Sequence, residues 1–289
     1  MNHDSPTDIR QAMEAAGIAL KKRWGQNFMI NRGARRKIVE LLDAQPDELI
    51  WEIGAGLGAL TEMIAPLAAA IVAFESDHGL VRHLESEFAG SSVRVVAGDF
   101  LDTREHAVAA HGAPRRVAGN LPYSSGAAIV AALVEHGPQV GRMVFTLQKE
   151  VVDRMCAPAG SRTYSSFSAI CQAFYTVANR GELQPGSFFP APEVQSGVVT
   201  MDLRVDADRV RAPAVFFALV RAAFAARRKT LRNNLLRESP FPLSKRDLLA
   251  VVQHMGVEAG VRAETLGADE LVAVSNQISA LVERRSSES

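Results

Sequence analysis

Short apolar runs alternate with amphipathic stretches from Ile50 to about Val205. Residues 49–53, 70–74, 93–97, 116–119 and 142–147 are short, rich in β-branched side chains and bounded by polar residues or glycine, the pattern of buried strands. Residues 58–67, 77–88 and 125–135 between them carry helical spacing. Such alternation predicts an α/β fold: a parallel sheet with helices on both faces. Residues 194–203 predict one more strand, after a proline-rich loop at 185–192. From about Asp206 the strand signal ends. Residues 213–225, 229–237, 244–254 and 269–283 have helical spacing, with Ser244 and Asp247 spaced as a capping box and Asp269 as a cap. Ahead of Ile50 a basic, partly irregular arm leads into a helix over 35–43. The expected organisation is an arm over 1–32, an α/β domain over 33–205 and a small all-helical domain over 206–289.

Composition narrows the class. Of 289 residues, 47% are hydrophobic and 22% charged, as in ordinary globular chains that bury a core without staples. Cys156 and Cys171 are the only cysteines, and no CxxC is present, which argues against a disulfide framework or a zinc site; no metal is expected. The N-terminus lacks an apolar signal-like run, and no stretch is long enough to span a bilayer. The expected location is the cytoplasm, away from membranes. Formal net charge is zero, but it is unevenly spread. Lys21, Lys22, Arg23, Arg32, Arg35, Arg36 and Lys37 share a window without acids. So do Arg221, Arg227, Arg228, Lys229, Arg232 and Arg237. Each window is either a solvated helix face or a set of phosphate contacts.

The chemistry clusters at the ends of the predicted strands. The first runs into Glu52-Ile53-Gly54-Ala55-Gly56-Leu57-Gly58. Glycines between a strand and a helix let backbone approach a ligand closely. The spacing is GxGxG rather than the GxGxxG of dinucleotide binders, which disfavours an NAD-dependent oxidoreductase, and no Lys-Ser/Thr follows, which excludes a P-loop. The second strand ends at Glu75, where a carboxylate either accepts from ribose hydroxyls or complements a helix dipole. The third is followed by Asp99-Phe100, where Asp99 could accept from an adenine amine with Phe100 beside the ring, or could close an Asx turn. Together these suit an adenosine-containing ligand without pyrophosphate, such as S-adenosylmethionine. The fourth strand runs into Gly119-Asn120-Leu121-Pro122-Tyr123. An adenine amine is a poor nucleophile because its lone pair is delocalised. The Asn120 oxygen and a carbonyl near Leu121 could hold its hydrogens, Pro122 stiffens the turn, and Tyr123 offers a face for stacking. Displacement at a sulfonium methyl needs positioning more than proton transfer.

Residues 21 to about 235 resemble the ribosomal RNA adenine dimethyltransferases. Lys22-Arg23-Trp24-Gly25-Gln26-Asn27-Phe28 is similar to the family's N-terminal signature, Glu52–Thr61 to its glycine loop, and Gly119–Tyr123 to its amine site. Residues 147–154 (LQKEVVDR) resemble a further family segment. Residues 188–196 resemble its F-x-P-x-P-x-V-x-S loop, and 224–235 (FAARRKTLRNNL) its basic segment. The resemblance implies a Rossmann-like class I methyltransferase sheet followed by a helical rRNA-binding domain. It carries S-adenosylmethionine contacts to Asn27, Met29, Gly54, Gly56, Glu75, Asp99 and Asn120. It places Asn120, Leu121, Pro122 and Tyr123 at the amine, Phe188 on the target base, and Arg227, Arg228, Lys229 and Arg232 on rRNA phosphates. The implied reaction is N6 dimethylation of two adjacent adenosines in the 3′-terminal hairpin loop of 16S rRNA, on the small subunit or its precursor, by a monomer. A single-site enzyme of large-subunit rRNA and an assembly factor with weak catalysis are the alternatives. The sequence departs from the family pattern at Met29, Ala55, Ser124-Ser125-Gly126, residues 163–168 and Glu193.

Overall fold

The computed structural model describes residues 1–15, 17–18, 26–137, 139–237, 239–254, 256, 258 and 260–287. Lys21 to Arg23 of the first basic window, and Trp24 and Gly25 of the N-terminal signature, lie outside the described residues. The chain divides into two compact units. One comprises Met1–Val152 and Ala178–Asp202, the other Asp153–Val177 and Leu203–Ser289.

The first unit is built on strands β2 (Leu49–Ile53), β3 (Ala70–Glu75), β4 (Val93–Ala97), β5 (Arg116–Asn120), β6 (Arg142–Gln148), β7 (Tyr175–Leu183) and β9 (Ser196–Leu203). They form one seven-stranded sheet in the order β4-β3-β2-β5-β6-β9-β7. The expected sheet was parallel. The strands β2 to β6 are parallel where they pair, but β9 runs antiparallel to β6, with Gln148 opposite Ser196 and Arg142 opposite Asp202. A two-stranded ribbon joins β1 (Phe28–Met29) to β8 (Phe188–Phe189).

Helices α1 (Pro6–Ala15), α2 (Arg32–Leu42), α3 (Thr61–Ile64), α4 (His78–Glu87), α5 (Phe100–His111), α6 (Gly126–His136) and α7 (Lys149–Met155) complete the first layer set. Alternate strand residues point to opposite faces. Ile50, Ile71, Ala118 and Val144 therefore share a core with Ile38 and Leu42 of α2 and Leu84 of α4. Trp51 and Phe74 point the other way and meet Phe100 of α5, ring centroids 6.1 and 5.0 Å from it. Three of these helices, α1, α5 and α7, were not expected. α1 replaces part of the irregular arm, capped by Ser5, whose hydroxyl oxygen accepts from the Asp8 amide at 3.2 Å. α5 begins at Phe100, capped by Asp99.

In the second unit, α8 (Ser166–Phe174), α9 (Pro213–Ala223), α10 (Leu231–Arg237), α11 (Lys245–His254) and α12 (Ala268–Ser287) pack together. Residues 153–177, which take in the end of α7 and the first three residues of β7, had been expected in the α/β domain. They belong here because the buried side of α8 faces α9: Phe174 lies 5.8 and 5.5 Å from the rings of Phe216 and Phe217. The departure at 163–168 is the start of α8, where Ser165 and Ser168 form a capping box and Tyr164 is buried. Ser244 and Asp247 do form the expected capping box. Asp269 does not cap α12; it pairs with Arg209 at 2.7 Å, while Glu270 accepts from the Gly267 amide. No helix among the described residues is long and apolar enough to cross a membrane.

Candidate active site at the switch point of the sheet

The strand order reverses beside β2, because the chain steps outward through β3 and β4 and then returns to β5 on the other side. Open α/β sheets leave a crevice beyond the carboxyl ends of their strands at such a point. A cavity of about 490 Å³ lies there, in the first unit, and takes residues from the ends of β2, β3, β4 and β5.

At the end of β2, Gly54 and Gly56 have φ of 74° and 60°, a backbone that side chains with a Cβ rarely adopt. The Gly54 and Ala55 amides donate to Phe74 O at 2.9 and 3.1 Å, pinning the loop to β3. Glu75, at the end of β3, completes the link: its carboxylate accepts from the amides of Gly56 (2.9 Å), Ser76 (2.8 Å) and Asp77 (2.9 Å). Burial pushes the Glu75 carboxyl up, and these three donors oppose the shift. Two oxygens with about four acceptor sites still leave room for a ligand hydroxyl.

Glu52, given no role by sequence reasoning, also lines the cavity. It is 1% exposed and accepts from the Thr61 hydroxyl at 2.5 Å. Burial pushes its carboxyl up to about 8; Thr61 opposes this and the charge of Glu75 adds to it.

Asp99 stands exposed at the cavity and caps α5 by accepting from the Leu101 amide at 2.8 Å. The Asx-turn and ligand roles thus coexist on one side chain. Phe100, expected beside a bound ring, instead packs into the core against Trp51 and Phe74.

Asn120 closes β5. A Cβ on Gly119 before it would lie 2.5 Å from Ile53 O, so only glycine lets β5 approach β2 this closely. The Asn120 Nδ2 donates to Asn27 O at 2.7 Å. That bond turns the amide so that Oδ1 remains as an acceptor. The Leu121 amide donates to Thr146 O at 3.1 Å, and Pro122 O accepts from the amides of Ser125 and Gly126 at 3.2 and 2.8 Å. Gly126, in the segment that departs from the family pattern, opens α6 where a Cβ would lie 2.4 Å from Leu147 Cδ2. Tyr123 is half-buried, its hydroxyl bonded to that of Ser196, and burial pushes its phenol up. Asn27 and Met29 also line the cavity.

A family model of ribosomal RNA adenine dimethylases matches residues 17–280. The chain belongs to that family. It is 35% identical over 286 residues to ribosomal RNA small subunit methyltransferase A of Treponema pallidum, covering 97% of this chain and 99% of the relative. It is 37% identical over 273 residues to the protein of the same name from Geobacter metallireducens, covering 93% and 99%. A crystal structure of a dimethyladenosine transferase from Plasmodium falciparum superposes with a TM-score of 0.72 at 22% identity, covering 84% of this chain and 94% of that one, which shows the shared fold.

The site of this rRNA adenine dimethylase gathers Asn27, Met29, Gly54, Gly56, Glu75, Asp99 and Asn120 to Tyr123 in one cavity. Phe188 is not there. It is 2% exposed and sits with Met29 and Ala34 in the core, so its ring has no free face for a base. The ribbon register explains this, because Phe188 pairs with Met29 and is turned inward. The basic windows divide. Arg35 is 4% exposed and donates to His3 O and Met29 O, a structural role. In the second unit Arg227 pairs with Glu264 at 3.3 Å and donates to Arg162 O. Arg228, Lys229 and Arg232 are exposed and have no acidic partner among the described residues. Two lining residues, His3 and Ile9, had no signal in the sequence, because only tertiary packing brings the N-terminus here. Among the described residues no group of three or more His, Cys, Asp or Glu could hold a metal ion.

Proposed function

We propose that the chain uses S-adenosylmethionine to dimethylate N6 of two adjacent adenosines in the 3′-terminal hairpin loop of 16S rRNA during small-subunit biogenesis. The observation that carries this is the orientation of Asn120: its nitrogen is committed to Asn27 O, leaving an acceptor oxygen in the cavity that Glu75 and Asp99 share. The cavity fits the cofactor. Glu75 and Asp99 offer acceptors for ribose hydroxyls and an adenine amine. The positive-φ glycines bring backbone to the cavity wall.

When bound, S-adenosylmethionine supplies an electrophilic methyl group on a sulfonium. The chain supplies position. Asn120 Oδ1 and a carbonyl near Leu121 accept from the N6 hydrogens, which localises the nitrogen lone pair. Tyr123, tethered through its hydroxyl to Ser196, presents a ring face to the base. Since Phe188 is enclosed, Tyr123 carries the stacking role in this geometry. Arg228, Lys229 and Arg232 of the second unit hold rRNA phosphates, which position the substrate without reading its sequence. A loop adenine costs less to extrude than a duplex one. The substrate is the rRNA within the small subunit or its precursor, and the acting form is a cytoplasmic monomer.

The test is transfer of labelled methyl groups to small subunits that lack the modification, followed by mapping. Two methyl groups on each of two adjacent adenosines are expected. Label confined to large-subunit RNA would overturn the assignment.

A further inference from the structure

The N-terminal helix α1 is built into the cavity rather than laid over it. Ile9 is 1% exposed and packs in one cluster with Leu57 and Leu80, and all three line the cavity. Leu57 follows Gly56, whose amide donates to Glu75, and Leu80 lies on α4 just beyond Glu75 and Ser76. Ile9 therefore stands beside the Glu75 end. A single buried guanidinium ties this segment to β1. Arg35 pairs with Asp4 and donates to His3 O at 3.2 Å and to Met29 O at 2.9 Å. Ile18 seats on α4, where a Cβ on Gly79 would lie 2.6 Å from its Cγ1. The Arg10 guanidinium lies 4.7 Å from the Phe189 ring centroid. These anchors hold α1 as a wall.

We propose that α1 is part of the cofactor site, with Ile9 forming the apolar cover over the nucleoside end of S-adenosylmethionine. This rests on the reading that the cavity holds that cofactor. A nucleoside has two broad faces. Leu57, Leu80 and Ile9 supply apolar contact of the kind a ring or ribose face requires, while Glu75 and Asp99 take its polar edge.

The full-length protein tests this with S-adenosylhomocysteine as probe. Calorimetry on Ile9→Ala should show a dissociation constant raised by about tenfold, with Ile9→Val within about threefold of the wild type. Hydrogen exchange on the wild type, which needs no variant to fold, should show the α1 amides slowed at least about tenfold by saturating probe. Wild-type protein that binds the probe with α1 exchange unchanged would overturn the proposal. So would Ile9→Ala, folded, binding as tightly as the wild type. Failure of the wild type to bind the probe at all would instead remove the cofactor reading on which the proposal stands.

Discussion

Asn120 divides its amide between structure and chemistry. Its nitrogen holds the Asn27 carbonyl of the N-terminal segment, which leaves its oxygen as an acceptor on a residue that lines the cavity. Asn120→Ala should slow single-turnover methyl transfer by on the order of 100-fold, the scale of losing one preorganised polar partner. Binding of rRNA, measured separately, should stay within a few-fold, because the phosphate contacts proposed above are made by Arg228, Lys229 and Arg232. Glu52 shows a different tension. Its carboxyl holds a proton up to about pH 8 in the folded protein, against an ordinary value of 4.5. Between those values the folded state binds one more proton than the unfolded state, so the stability of the ligand-free protein falls as pH rises through that window. The slope from this group is at most about 1.4 kcal/mol per pH unit. Glu52→Gln should remove it, so the gap in denaturation midpoint between variant and wild type should widen from pH 5 to pH 8. A constant gap would show that Glu52 is ionised in the fold.

Elements position these residues through close backbone approach. β5 lies beside β2 at the switch point, and Gly119 faces Ile53 O with no room for a methyl group. The obstacle is a strand carbonyl rather than the tip of a flexible side chain. Gly119→Ala should therefore cost about 1–3 kcal/mol in chemical denaturation, as overpacking does, and lower transfer activity by shifting Asn120. How legible each element was in the sequence follows from how it is buried. The strands β2 and β3 are enclosed on both faces, so they read as apolar runs, and Glu75, the acid that ends β3, stood out. α5 buries only Phe100 and Ala107, and β7 is an exposed-edge strand with a polar pattern, so neither left a clear period. α1 spaces Ile9 and Met13 four apart among charged residues, too brief a stripe to separate from an arm. Phe188 marks another limit: a motif names a residue type but not the direction of its ring, which the pairing with Met29 decides.

At the scale of the whole molecule, 32 basic and 32 acidic residues cancel, yet recognition of a polyanion depends on which cations are uncommitted. Two neighbours in one segment separate these cases. Arg227 is held by Glu264 and by Arg162 O. Arg228 is exposed with no acidic partner among the described residues. Each cation placed on an RNA phosphate releases condensed counterions, and the logarithm of affinity then falls with the logarithm of salt by roughly 0.7–0.9 per contact. Arg228→Ala should therefore flatten the salt dependence of small-subunit binding by about that amount. Arg227→Ala should change it less, because that guanidinium already has a protein partner to lose, and its removal should register in stability instead. Binding titrations of both variants across a salt series decide between the two. A flattened slope for Arg227→Ala with no change for Arg228→Ala would mean that Arg227 exchanges Glu264 for phosphate on binding, and that exposure alone does not mark the RNA-facing cations of this unit.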